Sequence, residues 1–301
     1  MVRRILAATA ADFRAMGRAE LLDSIAQAEG RTLVAEVVAP ARPAVSGVTD
    51  AEMAAAFGAD LIILNGYDTI DPQIGGLPAS TSAESPLAMV KRLIGRPVGI
   101  NLEPVGPLAG DFPPGRRATA ESVERALAQG ADFILLTGNP GTGVSNQRLV
   151  EATSRAKQAG GERLLLMAGR MHAAGVLEEA GRRLLTPDDV ARLAEAGADV
   201  ILLPSPGTVP GFTVEWAAQL VEAIHAAGRL ALCAVGTCQE GADQETIRQI
   251  ALAAKMTGCD LHHLGDCGYA GVAPPENIMT YSLAIRGRTH TYRRMASSPL
   301  R

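Results

Sequence analysis

The sequence predicts a single (βα)8 TIM barrel, an α/β fold, from three observations. Gly-small-Asp followed by a short apolar run occurs four times: GADLIILN (58–65), GADFILLT (130–137), GADVILLP (197–204) and GCDLHHLG (258–265), with starts 72, 67 and 61 residues apart. A second series interleaves with the first: RTLVAEVV (31–38), RPVGINLE (96–103), ERLLLMAG (162–169) and RLALCAVG (229–236), following Gly30, Gly95, Gly161 and Gly228. Between the runs lie Ala- and Leu-rich segments of helical period, such as 119–130, 186–197 and 213–228. Apolar runs with no polar alternation suit strands covered on both faces, and the glycines suit helix C-caps. Eight strands alternating with helices over about 270 residues is the spacing of a closed barrel. A doubly wound sheet also alternates, but it does not predict evenly spaced units.

Taken in order, residues 1–29 read as a helical cap on the barrel bottom or as a subunit contact. The first of them, MVRRILAATAADFRAMG, resemble a leader, but the apolar run is short and Asp12, Arg14 and Arg18 follow at once, so a helix is expected. Residues 30–285 form the barrel. Thr119 and Thr186 read as N-caps, with Pro187 at the first helical position. Residues 286–301 form a basic tail (Arg286, Arg288, Arg293, Arg294) that is expected to be solvated or subunit-facing. One domain is expected.

Composition narrows the function. With 28 basic against 32 acidic residues the net charge is −4, which lacks the basic excess of a general nucleic-acid binder. No apolar run is long enough to span a membrane. The four cysteines, Cys233, Cys238, Cys259 and Cys267, match no zinc spacing and read as reduced thiols of a cytoplasmic protein. A homo-oligomer is expected.

In such barrels chemistry sits at the C-terminal ends of the strands. Glu36 and Glu103 interrupt apolar strands there and could act as bases or bind a metal; the bland alternative is an ion pair with an arginine such as Arg170. His262 and His263 replace apolar residues of the repeat, and only one of the two can face the barrel axis. Asp266 stands in the glycine-rich segment after the last strand. These five are the catalytic candidates. Asn65, Asn101, Ser205, Gly207, Thr208, Gly236, Thr237, Gly265 and Gly268 are the substrate- or phosphate-binding candidates, because glycine-rich strand ends expose backbone N–H groups that can cradle an anion. Asp60, Asp132, Asp199 and Asp260 fall on the opposite rim and read as structural. Two long loops, 66–85 and 104–118, are expected to be lids, the second with Arg116 and Arg117 available to an anion.

Several chemistries are argued against. All three lysines, Lys91, Lys157 and Lys255, fall in helical segments, which opposes a Schiff base or a pyridoxal cofactor. No iron–sulfur cluster, nicotinamide or flavin motif is present, and GNPGTG (138–143) lacks the lysine of a P-loop. Mg2+ or another divalent ion remains open.

The stretches PSPGTVPG (204–211), HHLGDCGYAG (262–271) and PENIMTYSLAIRGRTHTYRRMA (275–296) resemble a bacterial TIM-barrel family whose members are sometimes labelled phosphoenolpyruvate phosphonomutase-like, or loosely hydrolases. The resemblance implies a barrel enzyme. The aspartate-rich metal motif of phosphonomutases is not found, so no catalytic residue is carried over from it. The expectation is a lyase or isomerase acting on a small anionic, phosphorylated metabolite. The alternatives are a non-catalytic binding or scaffold barrel, and a hydrolase whose nucleophile is Cys238, Cys267 or a metal-activated water.

Overall fold

The computed structural model describes residues 2–79, 83–107, 109–174 and 176–301. Eight parallel strands close a barrel in chain order: β1 (Thr32–Val38), β2 (Leu61–Asn65), β3 (Val98–Leu102), β4 (Phe133–Leu136), β5 (Leu165–Gly169), β6 (Val200–Pro204), β7 (Leu230–Val235) and β8 (Leu261–Leu264). Each falls inside its predicted run. Helices α1 (Ala10–Ala15) and α2 (Arg18–Ala26) precede β1. Then α3 (Asp50–Ala56), α4 (Pro86–Ile94), α5 (Ala120–Ala128), α6 (Asn146–Gly160), α7 (Pro187–Glu195), α8 (Val214–Ala226), α9 (Gln244–Met256) and α10 (Pro275–Met295) each follow one strand. Thr119 and Thr186 cap α5 and α7 as expected, accepting the N–H groups of Ser122 and Asp189. None of the described helices is long and apolar enough to cross a membrane.

Residues of alternate parity on each strand enter two cores. Outward residues such as Leu33, Ile62, Ile134 and Ile201 pack under the helices. Inward residues such as Val34, Ile63, Phe133, Met167 and Leu202 fill the barrel, and Ile5, Phe13, Leu21 and Ile25 join them from below. The N-terminal segment thus stoppers the bottom of the barrel with apolar side chains. Phe133 fits because its neighbour on β3 is Gly99: a Cβ there would lie 2.4 Å from the ring. Gly99→Ala therefore overpacks the interior. We expect a loss of about 1–3 kcal/mol, read as a melting temperature several degrees lower.

The repeated aspartates build the lower rim by one contact made four times. Asp60, Asp132, Asp199 and Asp260 donate their own N–H to Leu33, Val98, Leu166 and Ala231. Their carboxylates accept the N–H of the same four residues, at 2.8, 2.9, 3.0 and 2.8 Å. Each carboxylate clamps the strand before it, and each meets a basic side chain of its own. Asp132 meets Lys91 at 2.5 Å and Asp260 meets His225 at 2.9 Å. Arg18, reaching in from α2, takes Asp199 with two nitrogens.

Asp60 meets Arg286 and Arg294, which corrects the expectation of a solvated tail. Both arginines are buried, whereas Arg288 and Arg293 are exposed. On an unbroken helix two residues eight apart stand about 12 Å apart along the axis. Gly287, in a left-handed conformation (φ 71°), kinks α10 between them, and both guanidinium groups reach the one carboxylate. Arg294 also donates to the carbonyls of Ile5 and Ala8, fixing the N-terminal segment.

Candidate active site

The upper face holds a cavity of about 390 Å³ lined by residues from seven of the eight strands and the loops that follow them. Glu36, Asn65, Asn101, Glu103, Gly236, Thr237, Gly265, Asp266 and Gly268 line it, as the sequence predicted. Thr137, Gly138, Asn139, Met171, His172, Cys238 and Glu240 complete the wall.

The floor is built on β1 and β8. Strand parity turns His263 inward, where its Nε2 lies 3.1 Å from Glu36 Oε2, with both side chains buried. Glu36 Oε1 and His263 Nδ1 have no hydrogen-bond partner among the described residues. Burial raises the Glu36 carboxyl above its ordinary range, opposed by the hydrogen bond from His263. His262 points outward and leaves the list of catalytic candidates. Its ring nitrogens meet Tyr281 Oη at 3.1 Å and the Gly30 carbonyl at 3.0 Å, which ties β8 to α10 and to the start of the barrel.

On the next strands a polar chain crosses the cavity. Asn101 Nδ2 donates to Asn65 Oδ1 at 3.2 Å, and Asn65 Nδ2 donates to Asp266 Oδ2 at 2.6 Å. Asn101 Oδ1 stays unpartnered. Glu103 lies near Arg116 (3.3 Å) and Thr142 Oγ1 (3.4 Å); the pairing arginine is Arg116 and not Arg170. Burial raises its carboxyl, and Arg116 pulls it back. Arg170 is wholly buried and engages Glu179 at 2.6 Å and Asn146 at 3.3 Å.

Glu240 was not foreseen. It sits in a single 3-10 turn (Gln239–Gly241) between β7 and α9, and only 2% of it is exposed. Its Oε1 accepts the N–H of Cys267 at 2.8 Å, and its Oε2 has no partner among the described residues. Burial raises this carboxyl too. Asn277, in the first turn of α10, holds the loop by donating to the carbonyls of Glu240 and Ala242 at 2.8 and 2.7 Å. Four non-glycine residues adopt a left-handed backbone among those described, and three of them, Thr237, Cys238 and Cys267, flank this carboxyl. Backbone held in such a region costs free energy and marks a place the surrounding fold constrains.

Two strand-end glycines make room for carboxyl groups. A Cβ on Gly138 would lie 2.9 Å from Glu103 Oε2, and one on Gly265 would lie 2.7 Å from Glu240 Oε1. The N–H groups of Cys267 and Gly268 already donate to Glu240 and Asp266. No lysine or arginine is among the lining residues. Ser205, Gly207 and Thr208 lie elsewhere: Thr208 bonds back to the Ser205 carbonyl at 2.7 Å, and the three shape the turn into α8.

The long loops are not lids over this cavity among the described residues, because none of their residues lines it. They pack on one another, Thr69 N–H donating to Gly115 at 3.2 Å. Residues 80–82 of the first loop and 108 of the second lie outside the described residues. Arg117 is spent on the carbonyls of Gly110 and Phe112. Burial, with Glu240 and Cys238 nearby, pushes the Cys267 thiol up to about 11, which disfavours it as a nucleophile. As a centre for Mg2+ the wall offers oxygen donors of the right kind. Among the described residues, though, no three His, Cys, Asp or Glu groups converge closely enough to hold a metal ion. The residues as placed do not fit a metal, and no step is derived through one.

Solved barrels share the architecture. The carboxyl transferase domain of Rhizobium etli pyruvate carboxylase, solved with 3-bromopyruvate, matches with a TM-score of 0.53 and 13% identity, over 96% of this chain and 52% of that one. Oxaloacetate acetylhydrolase matches at 0.50 and 17%, over 84% of this chain and 82% of that one. A proposed lyase/mutase from Burkholderia cenocepacia J2315 matches at 0.49 and 17%, over 87% and 81%. At these identities the likeness is one of fold. No curated protein matches in sequence. The family model described as a domain of unknown function, DUF7916, matches residues 6–301, and the chain belongs to that family.

Proposed function

We propose that this barrel is an enzyme of lyase or isomerase type that moves a proton on a small polar metabolite, with Glu36 as the base. One observation carries the reading. Glu36 is a buried carboxyl near a strand end that lines the cavity, one oxygen held by His263 and the other without a partner among the described residues. Leaving a buried acceptor unpaired costs about 1–3 kcal/mol, and more if it is charged. The fold bears that cost at three acceptors of this cavity, two of them carboxyl oxygens, on Glu36 and Glu240. Buried acids with raised protonation constants in a cleft are what acid–base catalysis requires.

The chemistry follows from this placement. Glu36 in its carboxylate form takes a proton from a substrate carbon: the C–H bond breaks and an O–H bond forms. The electron pair moves into an adjacent carbonyl to give an enolate, and the proton now on Glu36 is delivered back to a carbon of that unit, which reforms the carbonyl and frees the carboxylate. His263 touches no substrate and orients Glu36. Thr137, Asn65, Asn101 and Asn139 offer hydrogen bonds that position the molecule. The acid-rich wall speaks against a phosphate group in this cavity.

The test is solvent exchange. The protein is incubated in D2O with a panel of small carbonyl, hydroxy and amino metabolites, and proton NMR follows each C–H signal. Enzyme-dependent loss of one signal is expected, and Glu36→Gln should abolish it. Exchange that survives Glu36→Gln, or a panel with no exchange at all, overturns the proposal.

A further inference from the structure

We infer that the cavity takes a ligand carrying a protonated amino group. The inference rests on the cavity being the ligand site proposed above, and it concerns only what the wall selects. Four carboxyl side chains, Glu36, Glu103, Glu240 and Asp266, line the cavity with no lysine or arginine among the lining residues. The one arginine at its edge, Arg116, lies against Glu103.

Hydrogen-bond stoichiometry points the same way. Three buried acceptors on this wall lack a donor among the described residues: Glu36 Oε1, Asn101 Oδ1 and Glu240 Oε2. Their side chains are 3%, 6% and 2% exposed, so water does not readily supply what is missing. The N–H groups of two loop residues there, Cys267 and Gly268, are already used by Glu240 and Asp266. These three acceptors therefore lack a donor, and the lining residues bring no lysine or arginine to offset the carboxyls.

An alkylammonium supplies both, with three N–H donors and no acceptor. A hydroxyl brings one donor and leaves the charge uncompensated. A phosphate or carboxylate brings acceptors and more negative charge, and like charges at short range in a partly buried site repel strongly. One metal ion would need three ligands closing on a single point, which no His, Cys, Asp or Glu group of three among the described residues does.

Matched probes test this with the intact protein. Ethanolamine, ethylene glycol and glycolate differ at one terminal group. Glucosamine, glucose and gluconate give a larger series on the same principle. Each is titrated at pH 7.5 in chelator-treated buffer, by thermal melt and by calorimetry, and Mg2+ is run alone as a control.

We expect at least one amine to raise the melting temperature by several degrees and to bind at least tenfold tighter than its neutral and anionic partners. Glu240→Gln and Glu36→Gln should each weaken that binding at least tenfold while retaining a cooperative melt. Asp243→Ala, a charge change at the cap of α9 outside the cavity wall, should not. Equal binding of the neutral partner, tighter binding of the anion, a shift with Mg2+ alone, or no shift with either amine each overturns the assignment. A neutral or anionic compound that binds and exchanges deuterium would overturn the amine and leave the proton-transfer reading standing. An amine that binds and never exchanges would do the reverse.

Discussion

Replacing Asp60 with alanine should destabilise the protein by about 3–5 kcal/mol, the range for breaking a buried ion pair from one side. The carboxylate is fully buried between two arginines that are themselves buried. Its removal strands two guanidinium charges and the N–H of Leu33. The second arginine also anchors the N-terminal segment through the carbonyls of Ile5 and Ala8, so that segment should loosen as well. Denaturant unfolding at two salt concentrations is the measurement, since a buried pair is screened far less than an exposed one. Asp260→Ala is the internal control. It makes the same backbone clamp, but its side-chain partner is His225, which is 43% exposed. There the loss should be about 1–2 kcal/mol, the cost of the missing hydrogen bond. Equal losses at the two sites would mean that the clamp carries the energy and the arginine pair adds nothing.

Glu36→Gln should cut turnover by about 10²–10⁴-fold, the usual range for a general base. The amide keeps the size of the side chain but cannot accept a proton. His263→Asn should lower turnover less and should not add fully to Glu36→Gln, because His263 acts through Glu36. The pH profile gives an independent readout. Burial raises the Glu36 carboxyl, so the basic form is lost as pH falls through a value above the ordinary carboxylate range, and the acidic limb of the rate profile should sit there. Stability runs the other way. A native pKa raised above the unfolded one gives stability that is present at low pH and lost as pH rises through the native value. Glu36→Gln removes that loss, so at pH 8 the variant should melt no lower than the parent. A variant that melts well below the parent would show Glu36 to be a structural residue.

Much of the fold was legible because it repeats. The four Gly-small-Asp units mark both the helix ends and the strand starts, and the aspartates were correctly placed on the lower rim. Glu36, Glu103 and Asp266 stood out because each breaks an apolar run or follows one. The facing of His262 and His263 needed strand parity, which becomes visible only when Leu261 is seen to fill the barrel interior. Glu240 left no such signal: it lies in a loop, and what makes it notable is the burial that Asn277 and Cys267 impose from elsewhere in the chain. The glycines were ambiguous in the sequence because glycine serves two purposes. It frees backbone N–H groups toward a ligand, and it makes room for a neighbour's side chain. Gly138 and Gly265 do the second. The basic tail misled because composition cannot see a kink, and Gly287 turns two arginines of a charged helix inward.

The fourfold clamp bears on how such a chain could have been assembled. The carboxylate-to-backbone contact is the same in all four quarters, whereas the basic side chain that meets the carboxylate differs each time and comes from α10, α4, α2 or α8. The contact lies within one module of two strands and two helices, between the aspartate before the second strand and the backbone of the first. That is the pattern expected of a barrel assembled by duplicating such a module. The differing side-chain partners then read as private adjustments made after the quarters had become one molecule, with the loops above free to diverge while the ring beneath kept its joint.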